Sequence, residues 1–122
     1  MISSADSSRR RVLLIEDEYF IAEDMARAFT AAGAEVVGPA ATVTSAMRLV
    51  GEAGHLDGAV LDINLRGEMA YVIADALRER GVPFVFATGY DSASIPSRFA
   101  GVLRCEKPIA PKQVAAALFG SN

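Results

Sequence analysis

The rest of the chain is arranged around the segment Gly58-Ala-Val-Leu-Asp62-Ile-Asn64. It is a short apolar run that stops on a carboxylate, with Asp57-Gly58 before it and a turn-forming segment, 64–67, after it. A run this short is typical of a strand buried on both faces of a parallel sheet. In open α/β sheets the carboxyl ends of the strands border the ligand crevice. Asp62 is therefore predicted to lie at a site, not inside the core.

Four more apolar runs alternate with segments whose apolar residues fall at helical spacing. They predict strands over 11–15, 34–38, 82–87 and 101–105, and helices over 20–32, from Thr42 or Thr44 to Gly54, over 70–80 and from Pro111 onward. The segment 90–99 has space for one or two helical turns, so a short or mobile fourth helix is predicted. Strands and helices that alternate with short loops form a parallel sheet with helices on both faces. The prediction is a doubly wound, five-stranded α/β fold of flavodoxin-like strand order 2-1-3-4-5.

Length and composition limit the classes of protein that this chain can belong to. A chain of 122 residues has room for one domain, predicted over 10–122 after a flexible tail at 1–9. The net charge of −3 argues against a nucleic-acid partner, and no apolar run is long enough to span a membrane. The N-terminus lacks the apolar core of a signal peptide, and the single Cys105 excludes an internal disulfide. These features predict a cytoplasmic protein.

Acidic residues follow two strands that are neighbours in this strand order. Strand 1 ends at Glu16-Asp17 and strand 3 at Asp62, so three carboxylates are predicted to meet. Two carboxylates roughly 5 Å apart repel each other by about 3 kcal/mol at an effective dielectric of about 20. Such a cluster must bind a proton or a cation, and hard oxygen ligands suit Mg²⁺ or Mn²⁺. Asn64 is close enough in sequence to add its backbone carbonyl to the same ion.

Two more polar residues follow the remaining strands. Thr88 ends strand 4 and offers a hydroxyl at the same rim, and Lys107 follows strand 5, directly before Pro108. A hydroxyl and an ammonium that face a metal-bound carboxylate are what phosphoryl transfer to Asp62 requires. The metal and the lysine balance the charge of the phosphoryl oxygens while the carboxylate attacks in line.

The ordered set of these residues resembles a response-regulator receiver domain of the CheY type, over about residues 10–120. The resemblance implies that Asp62 is the phosphoacceptor and that Asp17 binds Mg²⁺ directly. It further implies that Glu16 acts mostly through bound water, and Asn64 through its main-chain carbonyl. Thr88 and Lys107 would contact the phosphoryl group. The sequence Phe86-Ala-Thr-Gly89 is similar to a receiver branch best known from alphaproteobacteria.

The resemblance also implies a role in a two-component phosphorelay. The phosphoryl donor would be a histidine kinase or a histidine phosphotransfer protein, and the receiver would catalyse only its own phosphorylation and dephosphorylation. The chain would act as a monomer or weak homodimer. Two roles stay open: a messenger whose phosphorylated form binds a downstream protein target, and a phosphate sink that drains a kinase.

One residue departs from the family pattern and keeps an alternative open. Typical receivers carry an aromatic residue on strand 5, three residues before the lysine; Arg104 stands there, and Tyr90 is the nearest substitute. The alternative is therefore a degenerate receiver used as a phosphorylation-independent protein-binding module. Glu16-Asp17-Glu18 would repel a flavin phosphate, which argues against a flavodoxin. Asn64 stands where a haloacid-dehalogenase-type phosphatase needs a second aspartate.

Overall fold

Five parallel strands form the central sheet of the computed structural model, which describes residues 9–88 and 95–119. The strands are β1 Arg11–Ile15, β2 Glu35–Ala40, β3 Gly58–Asp62, β4 Phe84–Thr88 and β5 Arg104–Glu106. Their order in the sheet is β2-β1-β3-β4-β5, and every neighbouring pair is parallel. The predicted fold class and strand order are confirmed. Of the predicted tail, residues 1–8 lie outside the described residues.

Helices cover both faces of this sheet. They are α1 Tyr19–Ala31, α2 Val43–Glu52, α3 Tyr71–Glu79 and α4 Pro111–Phe119. None of the helices in the described part of the chain is long and apolar enough to cross a membrane. Thr42, not Thr44, caps α2: its Oγ1 accepts a hydrogen bond from the Ser45 amide at 3.1 Å.

The core consists of two apolar layers, one on each face of the sheet. Along β1, Leu13 belongs to the layer under α2 and α3, whereas Leu14 belongs to the layer under α1 and α4. The same alternation along β3 divides Leu61 from Val60. Because both faces of the sheet are covered, the central strand β3 is buried at every position, as its apolar sequence predicts.

Three strands begin or end away from their predicted positions. One of them is β4, which begins at Phe84, two residues later than predicted. β2 continues through Pro39 to Ala40, which is possible because β2 is an edge strand and its pairing with β1 shifts register between Leu13 and Ile15. β5 begins at Arg104, three residues later than predicted, because the chain before it forms turns. The Leu103 carbonyl still accepts a hydrogen bond from the Phe86 amide at 3.0 Å.

A single 3-10 turn, Ser97–Phe99, stands where the described part of the predicted fourth helix would be. Residues 90–94 of that prediction lie outside the described residues. Phe99 is buried, and its ring stacks on Tyr71 with centroids 5.7 Å apart. Arg98 binds Asp75 of α3 through two hydrogen bonds, of 3.0 and 2.9 Å. These contacts attach the turn to α3.

The chain forms a short antiparallel ribbon directly after β3. Asn64–Leu65 pairs with Glu68–Met69, and Arg66 and Gly67 make the turn with φ angles of 54° and 89°. Positive φ angles at both central residues are typical of a type I′ hairpin turn. A loop was expected here, so the ribbon is an element that the sequence analysis missed.

Candidate functional site

Three carboxylates meet at the carboxyl ends of β1 and β3. Ile15 is paired with Leu61, so the residues that follow the two strands lie side by side. One oxygen from each of Glu16, Asp17 and Asp62 lies within 4.8 Å of the others. Glu16 and Asp62 are buried, and Asp17 is half-buried. The predicted acidic cluster, which consists of these three residues, is therefore present.

Lys107 reaches this cluster from the end of β5. Its Nζ lies 2.9 Å from Asp62 Oδ2 and 2.7 Å from Glu16 Oε1, and 16% of its side chain is exposed. Burial alone would lower the pKa of Lys107, but its contacts with Asp62 and Glu16 outweigh burial and raise it. The lysine is therefore a cation at any pH near neutrality. It balances part of the negative charge of the cluster.

Glu16 is the most deeply buried member of the cluster. Burial raises its pKa, although contacts with Lys107 and the Glu18 amide act in the opposite direction. Oε2 accepts a hydrogen bond from the Glu18 amide at 3.0 Å. Oε1 lies 2.7 Å from Lys107 Nζ, so the ammonium is its charged partner. A buried carboxylate oxygen of this kind, beside two more carboxylates, fits a set of hard oxygen ligands for a divalent cation.

Thr88 ends β4 at the same edge of the sheet. Asp62 is paired with Ala87, so Thr88 lies one residue beyond the level of the carboxylate. The residue is buried, and its backbone carbonyl accepts a hydrogen bond from the Lys107 amide at 2.9 Å. The main chain thus holds Thr88 and Lys107 side by side, on two neighbouring strands.

The ribbon after β3 contacts two of the carboxylates through backbone amides. The Asn64 amide donates a hydrogen bond to Asp62 Oδ1 at 3.2 Å, and the Arg66 amide donates one to Asp17 Oδ2 at 2.9 Å. Asn64 Oδ1 accepts a hydrogen bond from the Gly67 amide at 2.8 Å. The structure therefore places Asn64 at the site, as predicted. The hydrogen bond from the Arg66 amide to Asp17 was not predicted. The one cue to the turn in the sequence is the glycine that follows Arg66.

Arg104 is exposed on β5, where typical receivers carry an aromatic residue. It is paired with Phe86 of β4, whose ring lies 5.7 Å from that of Phe99 and 6.4 Å from that of Tyr71, measured between centroids. The aromatic residues near this position thus come from β4, α3 and the 3-10 turn. Tyr90, the predicted substitute, lies outside the described residues.

Two aromatic side chains are exposed next to the cluster, at the start of α1. Tyr19 is 66% exposed and Phe20 is 77% exposed, and their ring centroids are 5.3 Å apart. Beside them, α1 and the segment 107–109 border a groove of ≈ 430 Å³, lined by Ile21, Asp24, Met25, Ala28, Lys107, Pro108 and Ile109. An apolar surface therefore adjoins the acidic site.

Comparison with solved structures identifies the family. The solution structure of SdrG from Sphingomonas melonis Fr1 is 38% identical, with 96% of each chain covered and a TM-score of 0.78. The chain belongs to the response-regulator receiver family. The receiver domain of the hybrid histidine kinase CckA is 29% identical, over 86% of this chain and 92% of that one, with a TM-score of 0.68. No protein-family model and no curated protein matches the chain.

A second structure of SdrG, described as its BeF3-activated conformation and as from Pseudomonas melonis Fr1, is 39% identical to this receiver. It covers 92% of this chain and 95% of its own, with a TM-score of 0.73. Membership of the family makes this protein a receiver of two-component signalling, a signalling domain rather than a conventional enzyme.

Proposed function

We propose that this receiver accepts a phosphoryl group on Asp62 in a Mg²⁺-dependent reaction. The observation that carries the proposal is the position of Asp62, which lies between a lysine ammonium at 2.9 Å and two further carboxylates. The lysine supplies positive charge for phosphoryl oxygens. The carboxylates supply the ligands for a cation that such a transfer needs.

In this reaction an oxygen of Asp62 attacks the phosphorus atom of the donor. The bond between phosphorus and the leaving atom of the donor breaks as the new oxygen–phosphorus bond forms. Both oxygens of Asp62 are held before attack, Oδ2 by Lys107 and Oδ1 by the Asn64 amide. Because the lysine is already at the site, it is placed to move from the carboxylate to an oxygen of the incoming phosphoryl group. Thr88 would donate its hydroxyl to the same group.

Mg²⁺ would be held by the carboxylates of Asp17 and Asp62 and by the backbone carbonyl of Asn64, with Glu16 acting mostly through water. When bound, it would supply positive charge to the phosphoryl oxygens and offset the repulsion within the cluster. The burial of the Glu16 carboxylate, beside those of Asp17 and Asp62, supports this assignment. Mn²⁺ has the same ligand preference and would substitute.

The phosphoryl donor would be a histidine kinase or a histidine phosphotransfer protein. The exposed rings of Tyr19 and Phe20 and the adjoining groove of ≈ 430 Å³ give such a partner an apolar surface beside Asp62. Aromatic residues are enriched where proteins bind each other. The phosphorylated receiver would then either bind a downstream protein target or release its phosphoryl group as a sink.

The experiment that tests this function is intact-mass spectrometry after incubation with Mg²⁺ and a small phosphodonor. We expect the addition of one phosphoryl group, and its loss in Asp62→Asn and without a divalent cation. Asp24→Asn is the matched control, because Asp24 is an exposed aspartate on α1 and should leave the addition intact. If the folded wild-type protein gains no mass with this donor or with a histidine kinase, the chain is a phosphorylation-independent binding module.

A further inference from the structure

The turn of the ribbon holds a residue in an uncommon backbone conformation. Arg66 has a φ of 54°, and among the described non-glycine residues only Arg9 shares a positive φ. Such a conformation is unfavourable for an arginine, and type I′ turns usually carry asparagine, aspartate or glycine there. Backbone strain persists in a short surface element only where other contacts stabilise the strained conformation.

The backbone amides of the turn make hydrogen bonds that can offset this strain. The Arg66 amide donates a hydrogen bond to Asp17 Oδ2, and the Gly67 amide donates one to the side chain of Asn64. The Asn64 amide in turn donates to Asp62 Oδ1. The ribbon therefore links the carboxylate after β1 to the carboxylate that ends β3, two groups that would otherwise repel each other.

We infer that the Arg66-Gly67 turn is a positioning element, which holds the Asp17 carboxylate in the orientation that binds the divalent cation. The inference rests on the proposed function. Asp17 is half-buried and follows the last residues of β1, so without this contact its side chain would rotate more freely. An ionised carboxylate accepts up to about four hydrogen bonds or ligand contacts. The Arg66 amide uses one of them at Oδ2 and leaves the rest for the cation.

Gly67→Ala tests the inference because it changes the backbone preference and little else. Gly67 has a φ of 89°, and an added Cβ would meet no atom within 4 Å, so the variant disfavours the turn without a steric clash. Asn64→Ala is a second variant, which removes the acceptor of the Gly67 amide and keeps the backbone carbonyl. Arg66→Asn is the control: asparagine tolerates positive φ, and the amide at this position is retained.

The measurement is a MgCl₂ titration followed by the backbone amide chemical shifts of each protein, without any phosphodonor. We expect the Mg²⁺ dissociation constant to rise about tenfold in Gly67→Ala and in Asn64→Ala, as is common when a group that orients a ligand is lost. Arg66→Asn should bind at least as tightly as the wild type. Equal Mg²⁺ affinity of the wild type and Gly67→Ala would overturn the positioning role and leave the proposed function standing. A wild-type protein that binds no Mg²⁺ would overturn both.

Discussion

Lys107 and Asp62 are joined by an ion pair of 2.9 Å in which the lysine also lies 2.7 Å from Glu16. The three residues come from the ends of three different strands, and Glu16 has none of its side chain exposed. One ammonium thus serves two carboxylates in a nearly water-free environment. This arrangement has consequences for stability as well as for phosphoryl transfer.

Removal of Lys107 should destabilise the protein, and Mg²⁺ should restore much of the loss. Lys107→Ala leaves two buried carboxylates without their counter-charge, which we expect to cost about 3 kcal/mol of unfolding free energy. Urea denaturation measures this, with and without MgCl₂, because a bound cation replaces the missing charge. Lys112→Ala is the control, since Lys112 is an exposed lysine of α4. An equal loss in the two variants would contradict the structural role of Lys107.

The two-point ion pair between Arg98 and Asp75 should control the local opening of the 3-10 turn. Both side chains are about half-exposed, so Asp75→Asn should change global stability little. The pair nevertheless attaches the turn to α3, so amide exchange at Phe99 and Ala100 should become faster in the variant. High salt should have the same effect on the wild type, because it screens exposed charges. Unchanged exchange in Asp75→Asn would show that the ion pair is not needed, and that the packing of Phe99 and the hydrogen bond of 2.7 Å from Arg78 to the Arg98 carbonyl hold the turn.

Asp57 should make stability depend on pH in the acid range. Burial would raise its pKa, but hydrogen bonds from the Arg11 amide at 2.8 Å and from His55 at 2.9 Å outweigh burial and lower it. A carboxylate whose pKa is lower in the folded state stabilises the fold above its unfolded pKa of about 3.9, and this contribution is lost as pH falls through the folded pKa.

The comparison of wild type with Asp57→Asn checks this effect. At pH 6 the variant should be less stable in urea by about 1 kcal/mol, because it loses a hydrogen bond to a charged group. The difference should shrink as the pH falls below about 4. A difference that stays constant between pH 6 and pH 3 would show that Asp57 acts through its shape and not through its charge.

Two glycines should respond to the same substitution in opposite directions. A Cβ at Gly58 would lie 2.7 Å from Leu118 Cδ1 and 3.3 Å from Phe119 Cε1, so Gly58→Ala should force the Leu118 side chain to move and lower stability by about 1 kcal/mol. A Cβ at Gly51, in α2, would meet no atom within 4 Å, so Gly51→Ala should raise stability by about 0.5–1 kcal/mol. Thermal unfolding of the two variants distinguishes the effects. Destabilisation by both substitutions would contradict the open space that the structure shows around Gly51.

Particular residues show which parts of this structure the sequence could predict. β3 contains the apolar run that the sequence predicts and ends on Asp62, because a buried strand of this kind has a strong apolar signature. The meeting of Glu16, Asp17 and Asp62 was predictable because strand order follows from the alternation of strands and helices. The predicted ends of strands were less accurate where tertiary contacts decide them. Pro39 is an example, because β2 is an edge strand whose register shift accommodates a proline.

The ribbon could not be predicted from local preferences. Arg66 has no intrinsic preference for a positive φ, and its amide donates a hydrogen bond to Asp17, a residue 49 positions away that local preferences do not include. The role of Arg104 is a similar case. The sequence shows that an aromatic residue is missing at this position, but only the structure shows that Arg104 is paired with Phe86, whose ring contacts that of Phe99.

We propose that Asp62, and no other carboxylate of the cluster, becomes phosphorylated. The most direct measurement is reduction of the phosphorylated protein with borohydride, which converts an aspartyl phosphate to homoserine, followed by peptide mass spectrometry. We expect homoserine at position 62 and unmodified Glu16 and Asp17. Reduction at Asp17 or Glu16, or at no residue of a protein that has gained a phosphoryl group, would contradict the assignment.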